Sequence, residues 1–235
     1  PGINKSFTVA GDEATTDDGA EAMAEIPEVV IEVSEDGIMV PDTAPGGIVA
    51  VTVQNSSGQD MDVSFYRLRE GASVDEVKAL LQEDPMGNFV PLKQLVSGMP
   101  SFNPVAAGQS DRVILDLRTG DFLVIGNEHV EEETPPGTQF IYGEFTADEL
   151  VGTVEPQTDV KVEFHDFDYV MPDTVAAGKQ VWQYANMGDQ WHMMLVFQLA
   201  PDASMEDAMN FLMAEGEPSG PPPFEDAAPN AGIAP

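Results

Sequence analysis

Apolar and polar residues alternate along Val29-Val30-Ile31-Glu32-Val33, and again along Val160-Lys161-Val162-Glu163-Phe164. That period of two is the pattern of a strand with one buried face. Each run leads into the same turn, Pro41-Asp42-Thr43 and Pro172-Asp173-Thr174. Proline pre-sets φ there and aspartate can bond its own backbone. Residues 48–54 and 179–185 then read as strands, as do residues 61–68 and 191–199, with Gly47 and Gly178 marking the tight approach to the second strand. The period next switches. Ser73-Val74-Asp75-Glu76 has the form of a capping box, and Val74, Val77, Leu80 and Leu81 share one helical face. Ser204 repeats the cap, with Met205, Ala208, Met209 and Leu212 as the predicted inner face. Further strands are predicted at residues 112–117, 122–125 and 139–145, with a turn at Arg118-Thr119-Gly120-Asp121. Several short strands and one helix in about 120 residues predict a β-sandwich.

The recurrence has a fixed offset of 131, from Pro41 to Pro172. Held without a gap, it pairs Glu32 with Glu163, Gly47 with Gly178, Asn55 with Asn186 and Gln59 with Gln190. It also pairs Leu68 with Leu199, Ala72-Ser73 with Ala203-Ser204, and Leu81 with Leu212. Of the 52 residues from 30 to 81, 11 are identical to their partners, where chance would give about three. The chain is therefore a duplication. The expected organisation is an acidic, flexible N-terminal tether over residues 1–27, a first domain over 28–151 and a second over 159–235. Pro235 falls opposite Pro104, so the second copy lacks counterparts of the last three strands of the first. Either the natural chain continues, the commoner arrangement, or another chain supplies strands by β-augmentation.

Two features carry a family resemblance: Asn186-x5-His192 at the third strand of copy two, and a late strand–turn–strand following Gly108-Gln109 in copy one. With two sheets per copy, residues 28–150 and 159–235 resemble the cupredoxin-like fold of plastocyanins, azurins and many bacterial envelope domains. The resemblance implies an all-β architecture of tandem cupredoxin-like Greek-key sandwiches, each with one short inserted helix. In copper-binding members the first ligand is a His at the start of the third strand, followed by Cys, His and usually Met in a late loop. Thiolate and imidazole together suit both copper oxidation states. His192 matches the first-ligand position, but its repeat mate is Met61, and the late loop of copy one has Ile125 or Gly126 where the cysteine belongs. Copy one is thus no blue-copper site. In copy two, His192 with Met187 is the candidate metal pair, the copper alternative to a chain that needs no cofactor.

Charge narrows the partners. The chain carries 9 basic and 42 acidic residues among 235, a net charge of −33. That field excludes nucleic acid and anionic membranes, which bind by releasing counterions to Lys and Arg. It fits a solvated acidic surface, or the recruitment of cations or a basic partner. With no cysteine in the chain, disulfides, thiolate metal sites and cysteine nucleophiles are excluded. No apolar run reaches the 18 or so residues of a membrane span, so this segment is not expected to insert directly. The chain begins at Pro1 rather than Met, which leaves room upstream for a signal peptide or lipid anchor.

The remaining candidates have ordinary readings. Met205, Met209 and Met213 stand at helical spacing and read as core packing. Glu128-His129-Val130-Glu131-Glu132-Glu133 reads as a solvated loop, without a spacing that imposes coordination. Asp166/Asp168, Asp17-Asp18-Gly19 and Glu35-Asp36-Gly37 read as turns, and the proline-rich residues 218–224 as a long inter-strand loop suited to contact with a partner. No Gly-x-Ser-x-Gly, His-Glu-x-x-His, phosphate-binding loop or dinucleotide fingerprint occurs. The sequence thus predicts a non-catalytic, extracytoplasmic sandwich (periplasmic, cell-surface or secreted). It would be a structural or protein-binding part of the cell envelope, or an accessory subunit of a larger assembly.

Overall fold

The computed structural model of the chain describes residues 7–10, 26–83, 89–129, 140–178, 180–194, 196–214, 220–227 and 233–234. Residues 1–6 and 11–25 of the tether, with Asp17-Asp18-Gly19, lie outside the described residues, as do Glu131 to Glu133, Pro218 and Ser219. A short β1 (Thr8–Ala10) comes first. Copy one then runs β2 (Glu28–Ser34), β3 (Gly37–Met39), β4 (Thr43–Asn55), β5 (Met61–Leu68), α1 (Val74–Glu83) and α2 (Phe89–Leu95). It continues with β6 (Val96–Val105), β7 (Ser110–Leu117), β8 (Gly120–Glu128) and β9 (Ile141–Gly152).

Two strand layers share one core. In the first, β2 pairs with β3 on one side and runs parallel to β4 on the other, and β4 pairs antiparallel with β7. In the second, the order is β9, β8, β5, β6, all antiparallel. Ile31, Val51 and Val53 of the first layer join Val63, Phe65, Val124 and Phe145 of the second in a single buried cluster. This is the all-β, cupredoxin-like sandwich that the sequence resemblance implies.

The layers are joined by β4 itself. Its first residues, Thr43 to Gly47, pair in parallel with β9, and residues 47–54 then pair with β7. The crossing turns on Gly47, whose φ is +90° and whose missing Cβ leaves room for the Gly152 carbonyl. A side chain at either glycine would run into the opposite backbone. The outer face of the second layer is covered too. Leu123 and Ile125 pack under Val77 and Leu81 of α1 and Leu92 of α2. With both faces buried, β8 is buried without a break from residue 122 to 126, which is why its sequence is a continuous apolar run. The helix α2 adds to the single inserted helix expected in this copy; Pro91 falls within its first turn, where a missing N–H costs nothing.

Copy two comprises β10 (Val160–His165), β11 (Asp168–Val170), β12 (Thr174–Ala176), β13 (Trp182–Asn186), β14 (His192–Met193) and β15 (Phe197–Leu199). Then follow α3 (Met205–Leu212), β16 (Phe224–Ala227) and β17 (Ile233–Ala234). Its strands are paired in smaller groups: β11-β10-β13, β14-β17, β15-β16 and β1-β12. Residues 220–223 of the proline-rich stretch lead into β16, where Phe224 packs on Phe197 and Phe211 at centroid distances of 4.7 and 5.5 Å. The methionine stripe is not core. Met205 and Met213 are exposed and Ala208 is the buried residue of α3, because no counterpart of the α1–α2 cover is found among the described residues.

Both helices open on the predicted cap. The Ser73 N–H donates to Glu76 Oε2 at 2.9 Å and the Glu76 N–H to Ser73 Oγ at 3.3 Å. Ser204 and Asp207 do the same at 2.8 and 3.2 Å. These bonds from serine hold the Glu76 and Asp207 carboxyls below their ordinary range, slightly opposed by desolvation. Because the folded values are lowered, the caps contribute stability above the ordinary carboxylate range and lose it as pH falls through the folded values. Protection of the Glu76 and Asp207 amides, relative to their intrinsic exchange rates, is therefore expected to fall on acidification. Glu76→Gln and Asp207→Asn should each remove the pH dependence at their own helix.

A second prediction concerns the turn after β4. The buried Asn55 donates through Nδ2 to the carbonyls of Gln59 and Val105 at 2.7 and 2.8 Å, and its Oδ1 accepts from the Ser57 N–H and hydroxyl. Asn55→Ala strands these buried partners and should cost about 2–4 kcal/mol in urea unfolding. Asn186→Ala, at a half-buried position, should cost less.

Candidate functional site

The pairings of β10 in the second copy repeat those of β2 in the first. The Val29–Val51 pair recurs as Val160–Trp182 and Val33–Asn55 as Phe164–Asn186; Ser34–Gly37 recurs as His165–Asp168. The bond from the Ser56 N–H to the Val33 carbonyl recurs as Met187 to Phe164, both at 2.8 Å. Asn186 Nδ2 donates to the Gln190 carbonyl at 2.7 Å, as Asn55 does to Gln59. The duplicated turn thus fixes where its next strand starts, and places His192 at the seat of Met61.

His192 is buried, its ring lying 5.6 Å from the Phe164 ring at 11°. Its Nε2 is shut from solvent and has no hydrogen-bond partner. Asp166 Oδ1 lies 3.9 Å away, beyond hydrogen-bond reach, and is engaged instead by the Asp189 and Gln190 N–H groups at 2.8 and 3.2 Å. Asp166 is thus a turn residue, as the sequence suggests. Glu35 and Asp36 likewise form the turn between β2 and β3. Met187, the other candidate metal donor, is 59% exposed. One buried imidazole and one solvent-facing thioether, in a chain without cysteine, do not fit a trigonal blue-copper set. Among the described residues no three His, Asp or Glu side chains gather where they could hold a metal ion.

The other two histidines each face a separate carboxylate. His129 Nδ1 lies 2.9 Å from Asp62 Oδ1, and His165 Nε2 lies 3.6 Å from Glu163 Oε2. Glu163 is held below the ordinary carboxylate range, chiefly by the hydrogen bond and charge of Lys161.

The second feature of this copy is an open strand edge. In copy one β4 is flanked by β2 and by β7, and Val51 and Val53 are wholly buried. Their counterparts on β13, Trp182 and Tyr184, are half-buried and 38% exposed, and among the described residues no strand pairs with the edge of β13 away from β10. Tyr184 stacks on Phe164 at 5.9 Å and Trp182 tilts against Tyr184 at 6.3 Å, so an aromatic face lies along that edge. Burial raises the Tyr184 hydroxyl above its ordinary range. The 131-residue offset points to these positions. Their exposure depends on the strand opposite, which the offset does not report.

No family model matches the chain, and no curated protein does. Among solved structures it is similar to sodium-dithionite-reduced auracyanin from the photosynthetic bacterium Roseiflexus castenholzii. That likeness has 16% identity and a TM-score of 0.31, over 52% of this chain and 95% of that one. It is also similar to Lac15 from a marine microbial metagenome, with 16% identity and a TM-score of 0.25 over 88% of this chain and 59% of that one. A multicopper oxidase gives 14% identity and a TM-score of 0.26, over 88% and 76%.

A buried nitrogen without a partner is a stability cost that an apolar ring of similar shape removes. His192→Phe is therefore expected to raise the melting temperature, by the equivalent of about 1 kcal/mol. A fall of that size would show that Nε2 is satisfied in solution.

Proposed function

We propose that the chain is a non-catalytic, extracytoplasmic tandem sandwich that acts as a structural or protein-binding component of the cell envelope, or as an accessory subunit of a larger assembly. The open edge of β13 carries this reading. Its twin β4 binds an antiparallel strand, residues 110–117, along the same edge; the equivalent positions lie beyond residue 235, and the edge is a template for a strand from a continuation of the chain or from a partner. The partner would add a strand whose alternate side chains settle on Trp182 and Tyr184. A net charge of −33 favours a partner with basic flanks. No helix among the described residues is long and apolar enough to cross a membrane, in keeping with attachment through protein contacts.

A second reading is copper binding or electron transfer with the metal in copy two, favoured by the orphaned, buried Nε2 of His192. It needs donors beyond His192 and Met187.

A photo-crosslinking residue placed at Gln183, on the open edge, is expected to give one discrete adduct in intact cells. The same residue at Glu32 on β2, an edge already paired, should give none. Equal labelling at both positions, or none at Gln183, would count against the binding reading. For the copper reading, one copper bound per chain after loading the purified protein, and lost in His192→Phe, would replace the first proposal with the second.

A further inference from the structure

The short strand β1 sits in copy two where the last strand sits in copy one. In copy one, Thr43 and Ala44 pair in parallel with Thr146 and Ala147 of β9. Displaced by 131, Thr43 and Ala44 become Thr174 and Val175, and these pair in parallel with Thr8 and Val9. The anchoring hydrogen bond is also reproduced. The Thr146 N–H donates to the Asp42 carbonyl at 3.1 Å, and the Thr8 N–H to the Asp173 carbonyl at 2.9 Å; Asp173 is the repeat mate of Asp42.

The side chains follow. Phe145 precedes Thr146 and is buried against Phe122. Phe7 precedes Thr8 and meets the Trp182 ring edge-on at 5.6 Å. It packs against the cluster of Val160, Val162, Phe164, Met171, Val175 and Met194. The shared dipeptide Phe-Thr thus fills equivalent seats in both copies. The residues of β1 itself are exposed, so backbone pairing and Phe7 hold it in place.

We propose that the edge of β12 is a strand-docking site selective for an extended Phe-Thr peptide, and that residues 7–10 of the same chain are its ligand. They pair with β12 in the register that β9 adopts beside Thr43 and Ala44 in the first sandwich. Phe supplies the apolar anchor, the following N–H supplies the bond to Asp173, and parallel pairing fixes the register. This site is separate from the open edge of β13 and does not rest on the reading given for it.

The test is amide hydrogen exchange on the full-length chain, read over residues 171–178, with residues 28–34 as internal reference. Thr8→Pro removes the N–H that donates to Asp173; it should speed exchange over 171–178 by about tenfold or more and leave 28–34 unchanged. Phe7→Ala, a milder change, should act in the same direction. A synthetic peptide of residues 4–13 added to the Thr8→Pro protein should restore protection saturably, and the same peptide with Phe7 replaced by Ala should not. Unchanged exchange in both variants would overturn the proposal, as would equal rescue by both peptides. Protection in the unaltered chain that grows with protein concentration would also overturn it, because the strand would then come from a second copy.

Discussion

Every strand edge in a sheet carries N–H and C=O groups that must find a partner or stay in water, and this requirement organises the molecule. In copy one the long strand β4 meets it by serving two layers in turn, bonding β9 before the Gly47 crossing and β7 and β2 after it. In copy two the same strand is divided into β12 and β13, and each piece meets the requirement differently. β12 takes β1 from the other end of the sequence. β13 pairs with β10 on one side, and among the described residues no strand pairs with its aromatic-lined other edge. The contrast between the copies is thus largely one of edge partners, since the pairings of β2 and β10, the turn and the helix cap are shared.

Much of this was legible in the sequence because those shared parts depend on local chemistry. The alternation at residues 29–33 and 160–164 marks strands with one buried face, and the structure gives both that pattern of burial. Ser73 and Ser204 announce helix starts because a hydroxyl three residues before a carboxylate satisfies two otherwise orphaned N–H groups. Asn55 and Asn186 recur because each bridges a turn that sets the next strand.

What was not legible depends on distant neighbours. Three residues of β1 contain no periodicity, and only the match of Phe7-Thr8 to Phe145-Thr146 hints at their role. The methionines of α3 have the spacing of a core face, yet Met205 and Met213 face water, because amphipathic spacing does not say whether a cover exists. α2 was not legible because a proline, Pro91, interrupts the segment, and only its place in the first turn makes it compatible with a helix. At His192 the offset identified the position, while the isolation of Nε2 arises from Asp166 having turned to the Asp189 and Gln190 amides instead.

The shared strand β4 has a mechanical consequence. Its hydrogen bonds lie across the strand direction on both flanks, so tension applied along β4 loads them together in shear. A strand at the tip of a hairpin would instead peel one bond at a time. Because β4 is also the covalent tie between the layers, the first sandwich would yield to such a pull in a single abrupt event. The divided strand of copy two offers no comparable tie, and it would stretch and come apart in stages.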